Sequence, residues 1–166
     1  GDGRWARSTW CRRSGEGQMT GQGCVFCDIV AGSVEAEIVF ADDVALAFLD
    51  HSPLMRGHTL VVPRFHVVTL ADLPSATVGP FFRRVQHISR HIPAALGAQG
   101  TFVANNNVVS QSVAHLHVHV VPRSKGDGLR GFFWPRATYG EGEASATATR
   151  IRAALEPFDD STDQYR

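Results

Sequence analysis

The stretch that decides the fold is HLHVHVVP, residues 115 to 122. His115, His117 and His119 occupy every second position, with Leu116, Val118 and Val120 between or after them. In a β-strand successive side chains point to opposite faces. The period of two therefore puts three imidazoles on one face, roughly 7 Å between neighbours, and the apolar set on the other, towards a core. Imidazole titrates near neutrality and serves as base, nucleophile or metal ligand. Spacing alone leaves three readings open: satisfied or exposed surface histidines, three rings on one metal, or three rings that carry a reaction. Three rings at strict period two seldom arise without a metal or a reaction.

Working outward, TFVANNN reads as a strand and VVSQSVA as the loop that leads into the histidine strand. GHTLVVPRFH is a further strand, stopped at Pro63 because proline cannot donate to a ladder. IVFADDVALAFLD reads as two strands around an Asp42-Asp43 turn. LPSATVGPFFRRVQHISRHIPAALG is the one long helix. Phe81, Val85, Ile88, Ile92 and Leu96 recur at helical spacing and form a buried stripe. Ser75 is the expected N-cap, and Pro80 and Pro93 are expected to bend or fray the helix. GEGEASATAT reads as a linker and ATATRIRAALEPF as a short amphipathic helix. A strand-rich sheet with a helix packed on it makes an α+β domain. The expected organisation is a flexible extension over residues 1–23, a domain over 24–158 and a polar tail over 159–166. The extension is Gly- and Arg-rich without period; Met19 is the expected start.

With 166 residues the chain suits one domain, and 43% apolar residues is ordinary for a globular protein. The formal net charge is +0 and there is no basic stripe, which argues against a nucleic-acid partner. No apolar run is long enough to cross a membrane. Three cysteines, Cys11, Cys24 and Cys27, do not make a disulfide framework, so a cytoplasmic protein with reduced thiols is expected.

CVFC places Cys24 and Cys27 at a spacing that can bind one Zn²⁺ with two further ligands; a redox pair or two buried thiols are the alternatives. The other ligands must come from far along the chain. The donors on offer are His51, His58, His66, His87, His91 and the histidine ribbon. His87 and His91 lie four apart on the helix and read most simply as solvated surface.

CVFCDIVAG, FLDHSPLMRGHTLVVPRFH and NNNVVSQSVAHLHVHVVPR together resemble the histidine triad (HIT) superfamily, and most of all its bacterial branch of Hint-type nucleotidyl hydrolases. HLHVHVV matches every position of the signature His-φ-His-φ-His-φ-φ, φ being apolar, and the likeness runs over about residues 24 to 135. The resemblance implies a five-stranded antiparallel sheet with one long helix and a short C-terminal helix, the sheet continuing across a homodimer. It implies a structural Zn²⁺ on Cys24, Cys27, His66 and His115, a closed Cys₂His₂ shell with no open position. It makes His117 the nucleophile, with His119 and His58 holding the phosphate, Ser112 assisting the leaving group, Gln111 beside the scissile bond and Asn106 reaching the phosphate. It lines the nucleoside end with Phe26, Ile29, Phe48, His51 and Leu60, and gives the ribose hydroxyls to Asp50.

Two departures stand out. The family usually carries Gly-Gln before the Ser or Thr, whereas this chain reads Ser110-Gln111-Ser112, and the loop from Asn107 to Ser110 is shorter. Trp134-Pro135 resembles a segment that some Hint-type proteins send towards the partner's site. The implied function is hydrolysis of purine nucleoside phosphoramidates or related mononucleotide conjugates. Hydrolysis of dinucleoside polyphosphates, or nucleotide-binding regulation with little catalysis, are the alternatives.

Overall fold

The structure is a computed structural model that describes residues 23–129 and 138–154. Cys11, Met19, Trp134, Pro135 and the polar tail lie outside the described residues. The strands are β1 (Ile38–Ala41), β2 (Ala45–Leu49), β3 (Thr59–Pro63), β4 (Gly100–Ala104) and β5 (Val118–Arg123). They form one antiparallel sheet in the order β1-β2-β3-β5-β4. The helices are α1 (Val25–Ala31), α2 (Ser75–Leu96) and α3 (Glu143–Ala154). This is the expected five-stranded α+β architecture.

The sheet buries both faces, and the period of two sorts the residues between them. Ala45, Ala47, Val61, Val118 and Val120 face α2, whose Phe81, Val85, Ile88 and Ile92 fill the space above them. Leu46, Phe48, Leu60 and Val62 face the other way and meet Phe26 of α1. α1 stops at Gly32, whose left-handed φ of 76° lets its N–H turn back to the carbonyls of Asp28 and Ile29. The β1–β2 turn is held by Asp42, whose Oδ1 accepts the N–H groups of Val44 and Ala45, both at 2.9 Å. Arg84 of α2 donates to its Oδ2 at 2.8 Å, which fastens helix to hairpin.

Several local expectations are corrected. α2 begins one residue earlier than the expected cap at Ser75 would place it: Pro74, not Ser75, is the N-cap, in extended backbone, and its carbonyl accepts from Thr77 N at 2.8 Å. Neither Pro80 nor Pro93 ends the helix, which runs unbroken to Leu96. Leu96 does not join the buried stripe; it is 53% exposed and lies over Gly57. GEGEASATAT is not a linker, because α3 starts at Glu143, where alanines favour helix and Glu143 Oε2 accepts from Gly140 N at 2.8 Å. The histidine strand is shorter than its pattern. β5 starts at Val118, so His115 and His117 precede the ladder, although Leu116, Val118 and Val120 are buried as expected.

Candidate active site

The approach to β5 places the three histidines. Leu116 N donates to Val67 O at 2.7 Å, which ties the segment to the chain leaving β3. At His117 the ladder with β4 has ended, and a side chain replaces it: Asn105 Nδ2 donates to His117 O at 2.8 Å. A carbonyl can only accept, so the amide orientation of Asn105 is fixed. Its Oδ1 is buried and has no hydrogen-bond partner among the described residues.

His117 is itself buried, with its ring edge-on to Phe26 at 5.2 Å between centroids. Its Nδ1 lies 2.7 Å from His115 O. Since that oxygen must accept, Nδ1 carries a proton, and in the neutral form of the ring Nε2 keeps its lone pair. A neutral imidazole so held is an oriented nucleophile.

His119 belongs to β5 proper, opposite Leu60 of β3 and Ala104 of β4. His58 Nε2 and His119 Nδ1 are 2.9 Å apart. The main-chain N–H of Leu54 donates to His58 Nδ1 at 3.2 Å, so His58 Nε2 carries the proton and donates to His119. His119 then presents its Nε2–H outward as a donor. Asp50 Oδ2 stands 3.6 Å from His58 Nδ1, too far for a hydrogen bond but near enough to favour a cation there. Burial, with the charge of His117 and His58, pushes His119 down to about 4, and burial also lowers His58. Both rings rest neutral and can take up charge when an anion arrives.

Cys24, Cys27, His66 and His115 converge, their ligand atoms all within 4.8 Å of one another. His115 Nδ1 is 3.5 Å from each Sγ, and His66 Nδ1 is 3.3 Å from Cys27 Sγ. Zn–N bonds of about 2.0 Å and Zn–S bonds of about 2.3 Å in a tetrahedron give N···S edges of about 3.5 Å, so these spacings fit four ligands of one ion. His115 Nε2 faces Pro63 O at 3.2 Å; that nitrogen donates, leaving Nδ1 free to coordinate, with a second partner behind the ligand. Burial, with the neighbouring Cys24, pushes the Cys27 thiol up to about 12, so this thiol needs a cation to ionise near neutrality.

The remaining predicted residues separate into three groups. Phe26, Ile29, Phe48 and Leu60 do meet, in the apolar cluster beneath α1. His51 stands apart at the surface with its side chain 95% exposed, and Asp50 Oδ1 caps the turn by accepting from Ser52 N at 2.9 Å. The loop residues are mostly engaged with the loop itself. Gln111 donates from Nε2 to Val68 O at 2.7 Å and accepts at Oε1 from Val108 N at 2.8 Å; Asn106 Nδ2 donates to Ser110 O at 3.2 Å. Ser112 is exposed and lines an open depression of about 360 Å³ with Cys24, His66 and Val113, beside the cysteine–histidine cluster. Val108 and Ser110 hold left-handed backbone, with φ of 66° and 59°. Asn105 was legible only as the first of three asparagines, and the N–H of Leu54, a main-chain donor, has no sequence signal.

Known proteins resemble the chain in sequence and in fold. The HIT domain family model matches residues 31–126. An uncharacterized HIT-like protein of Mycobacterium tuberculosis is 37% identical over 80% of this chain and 92% of its own. Adenylylsulfatase HINT3 of Arabidopsis thaliana is 35% identical over 64% of this chain and 55% of its own, and the adenosine 5'-monophosphoramidase hnt1 of Schizosaccharomyces pombe 28% over 80% and 98%. A crystal structure of a Zn-bound histidine triad family protein from Mycobacterium smegmatis superposes with a TM-score of 0.63 at 37% identity, covering 81% of this chain and 99% of that one. The chain belongs to the HIT family, and with it to the class of enzymes that hydrolyse or transfer nucleotides.

Proposed function

We propose that the chain hydrolyses purine nucleoside phosphoramidates or related mononucleotide conjugates at the α-phosphate, through a nucleotidyl-histidine on His117. The observation that carries this reading is the 2.7 Å bond from His117 Nδ1 to His115 O, which leaves the Nε2 lone pair free to attack. Nε2 forms a bond to the α-phosphorus as the bond to the leaving amine breaks, and the amine takes a proton, with Ser112 as the assisting hydroxyl. Water then attacks the same phosphorus, the P–N bond to His117 breaks, and a nucleoside monophosphate leaves. The donor Nε2–H of His119, backed by His58, stabilises charge on the phosphate oxygens. The relatives named for adenylylsulfate and adenosine phosphoramidate hydrolysis support an adenylyl group at this site. Phe26, Ile29, Phe48 and Leu60 are the apolar side offered to the base, and Asp50 the acceptor offered to the ribose.

In the same reading Cys24, Cys27, His66 and His115 hold one structural Zn²⁺, which cross-links α1 to the segment before β5. The Zn-bound relative and the tetrahedral spacing support this. The test of function is turnover of an adenosine phosphoramidate beside a diadenosine polyphosphate, with His117→Ala as the blank. Release of the amine and a mass adduct of one adenylyl group on His117 are expected. Cleavage of the polyphosphate alone would move the substrate class, and an adduct elsewhere would overturn the mechanism.

A further inference from the structure

We propose that the cysteine–histidine centre is a positioning device for the nucleophile, acting through His115 and Phe26, so that its occupancy by metal sets the rate of the chemical step. This rests on the reading of His117 as nucleophile.

His115 works in two directions at once. Its ring faces both sulfurs at 3.5 Å, and its main-chain oxygen takes the Nδ1–H of His117 at 2.7 Å. The residue that anchors the metal centre therefore also fixes the tautomer of the attacking ring. Phe26 makes a second connection. It lies between the two cysteines in CVFC, and its ring meets His115 at 6.0 Å and His117 at 5.2 Å, edge-on in both. α1 has seven residues and no side-chain cap, too little to hold a helix by itself. Its place depends on the apolar contacts of Phe26 and on the anchoring of Cys24 and Cys27.

Opening the centre takes from the His115 ring its sulfur-side anchor, leaving the Nε2 bond to Pro63 O as its polar tether, and frees the end of α1. The His115 carbonyl and the Phe26 wall then no longer fix one orientation of His117. In the other neutral tautomer the proton sits on Nε2, and the attacking lone pair is gone. The phosphate-facing pair is spared, because His58 is held by Leu54 N–H on the far loop and His119 by the β3–β5–β4 ladder. Binding should survive while chemistry fails.

The experiment uses the full chain with ¹⁵N-labelled imidazoles, zinc-loaded, stripped by a chelator, and reloaded. Two-bond ¹H–¹⁵N spectra report the tautomer of His117, and steady-state assays report kcat and KM. The expected result is a pure Nδ1–H form when loaded and a mixture when stripped. With it kcat should fall on the order of tenfold or more at a KM changed less than about twofold, both restored by zinc. A folded, stripped protein that keeps the pure Nδ1–H form and its kcat overturns the proposal. Should stripping unfold the chain, His66→Ala at graded zinc weakens the centre. It removes a ring edge-on to His115 at 5.2 Å but leaves the bond from His115 Nε2 to Pro63 O and both cysteines of α1 and its cap in place, and the zinc titration separates occupancy from the lost ring contact. A tautomer mixture that tracks occupancy supports the proposal, and a His117 spectrum indifferent to occupancy overturns it. A loaded protein with the Nδ1–H form that turns over no nucleotide conjugate would sink the functional reading instead.

Discussion

A main-chain carbonyl orients the ring of His117, and no carboxylate stands in that role. The geometry of this ring thus depends on the backbone at 115 to 117, which a side chain, Asn105, steadies where the ladder has ended. His117→Ala should cost on the order of 10⁴-fold or more in kcat while nucleotide binding remains measurable by calorimetry. Asn105→Ala should lower kcat roughly tenfold with little change in KM, since it loosens the backbone behind the ring. Unchanged kcat would show that the ladder holds His117 without it. The His58–His119 pair gives a pH signature. His119 is held down to about 4 and His58 is also lowered, both first by burial. As pH falls below the ordinary value of about 6.5, the unfolded chain binds protons that the folded chain does not, so stability falls. That contribution is complete above about pH 6.5 and drains away towards about pH 4. Urea midpoints measured from neutral pH downward should decline across this window, and His119→Gln should decline less steeply.

The elements show why some features were legible and others not. β2, β3 and β5 were readable because both faces of the sheet are buried and their runs are nearly all apolar. α1 was not: VFCDIVA is seven residues long, and its helical state follows from the sheet beneath Phe26 and from the turn at Gly32. The cap at Pro74 was missed because Ser75 has the better capping side chain, while the local chain direction is set by the proline. The tetrad of histidines and the Cys₂His₂ set were legible through the family signature, but the bonds of Gln111 and the exposure of His51 needed coordinates. Gly57 provides an element-scale test. Its φ is 90°, and a Cβ there would stand 2.2 Å from Leu96 Cδ1. Gly57→Ala should destabilise by about 1 kcal/mol or more from backbone strain alone. Adding Leu96→Ala should recover only the steric part, and full recovery of the melting temperature would show that backbone strain is absent.

At the scale of the molecule the sheet formed by the described residues has two edges, β1 and β4. β4 carries Val103, 43% exposed, and the neighbouring α2 carries half-buried Phe82. An apolar edge left open invites pairing, and a two-fold axis lets two copies of one strand satisfy each other. We therefore expect a homodimer through β4 and α2 at micromolar concentration by light scattering, with Phe82→Glu shifting the mass towards the monomer. A monomeric native mass would refute it, and a Phe82→Glu dimer would move the interface elsewhere. No helix among the described residues is long and apolar enough to cross a membrane.

The strand order also sets when the site can exist. β3 has its partner β5 only after α2 and β4 have been traversed, and it is this pairing that sets Leu60 against His119. Contacts so distant along the chain close late, because the loop entropy must be met before they form. The hairpin β1–β2–β3 can assemble first from local turns, whereas the rings of His58 and His119 meet only when the central seam of the sheet is sealed. Catalytic competence therefore marks the end of folding. In a refolding experiment, activity should return no earlier than the slowest structural phase, which makes turnover itself a sensor of the completed sheet.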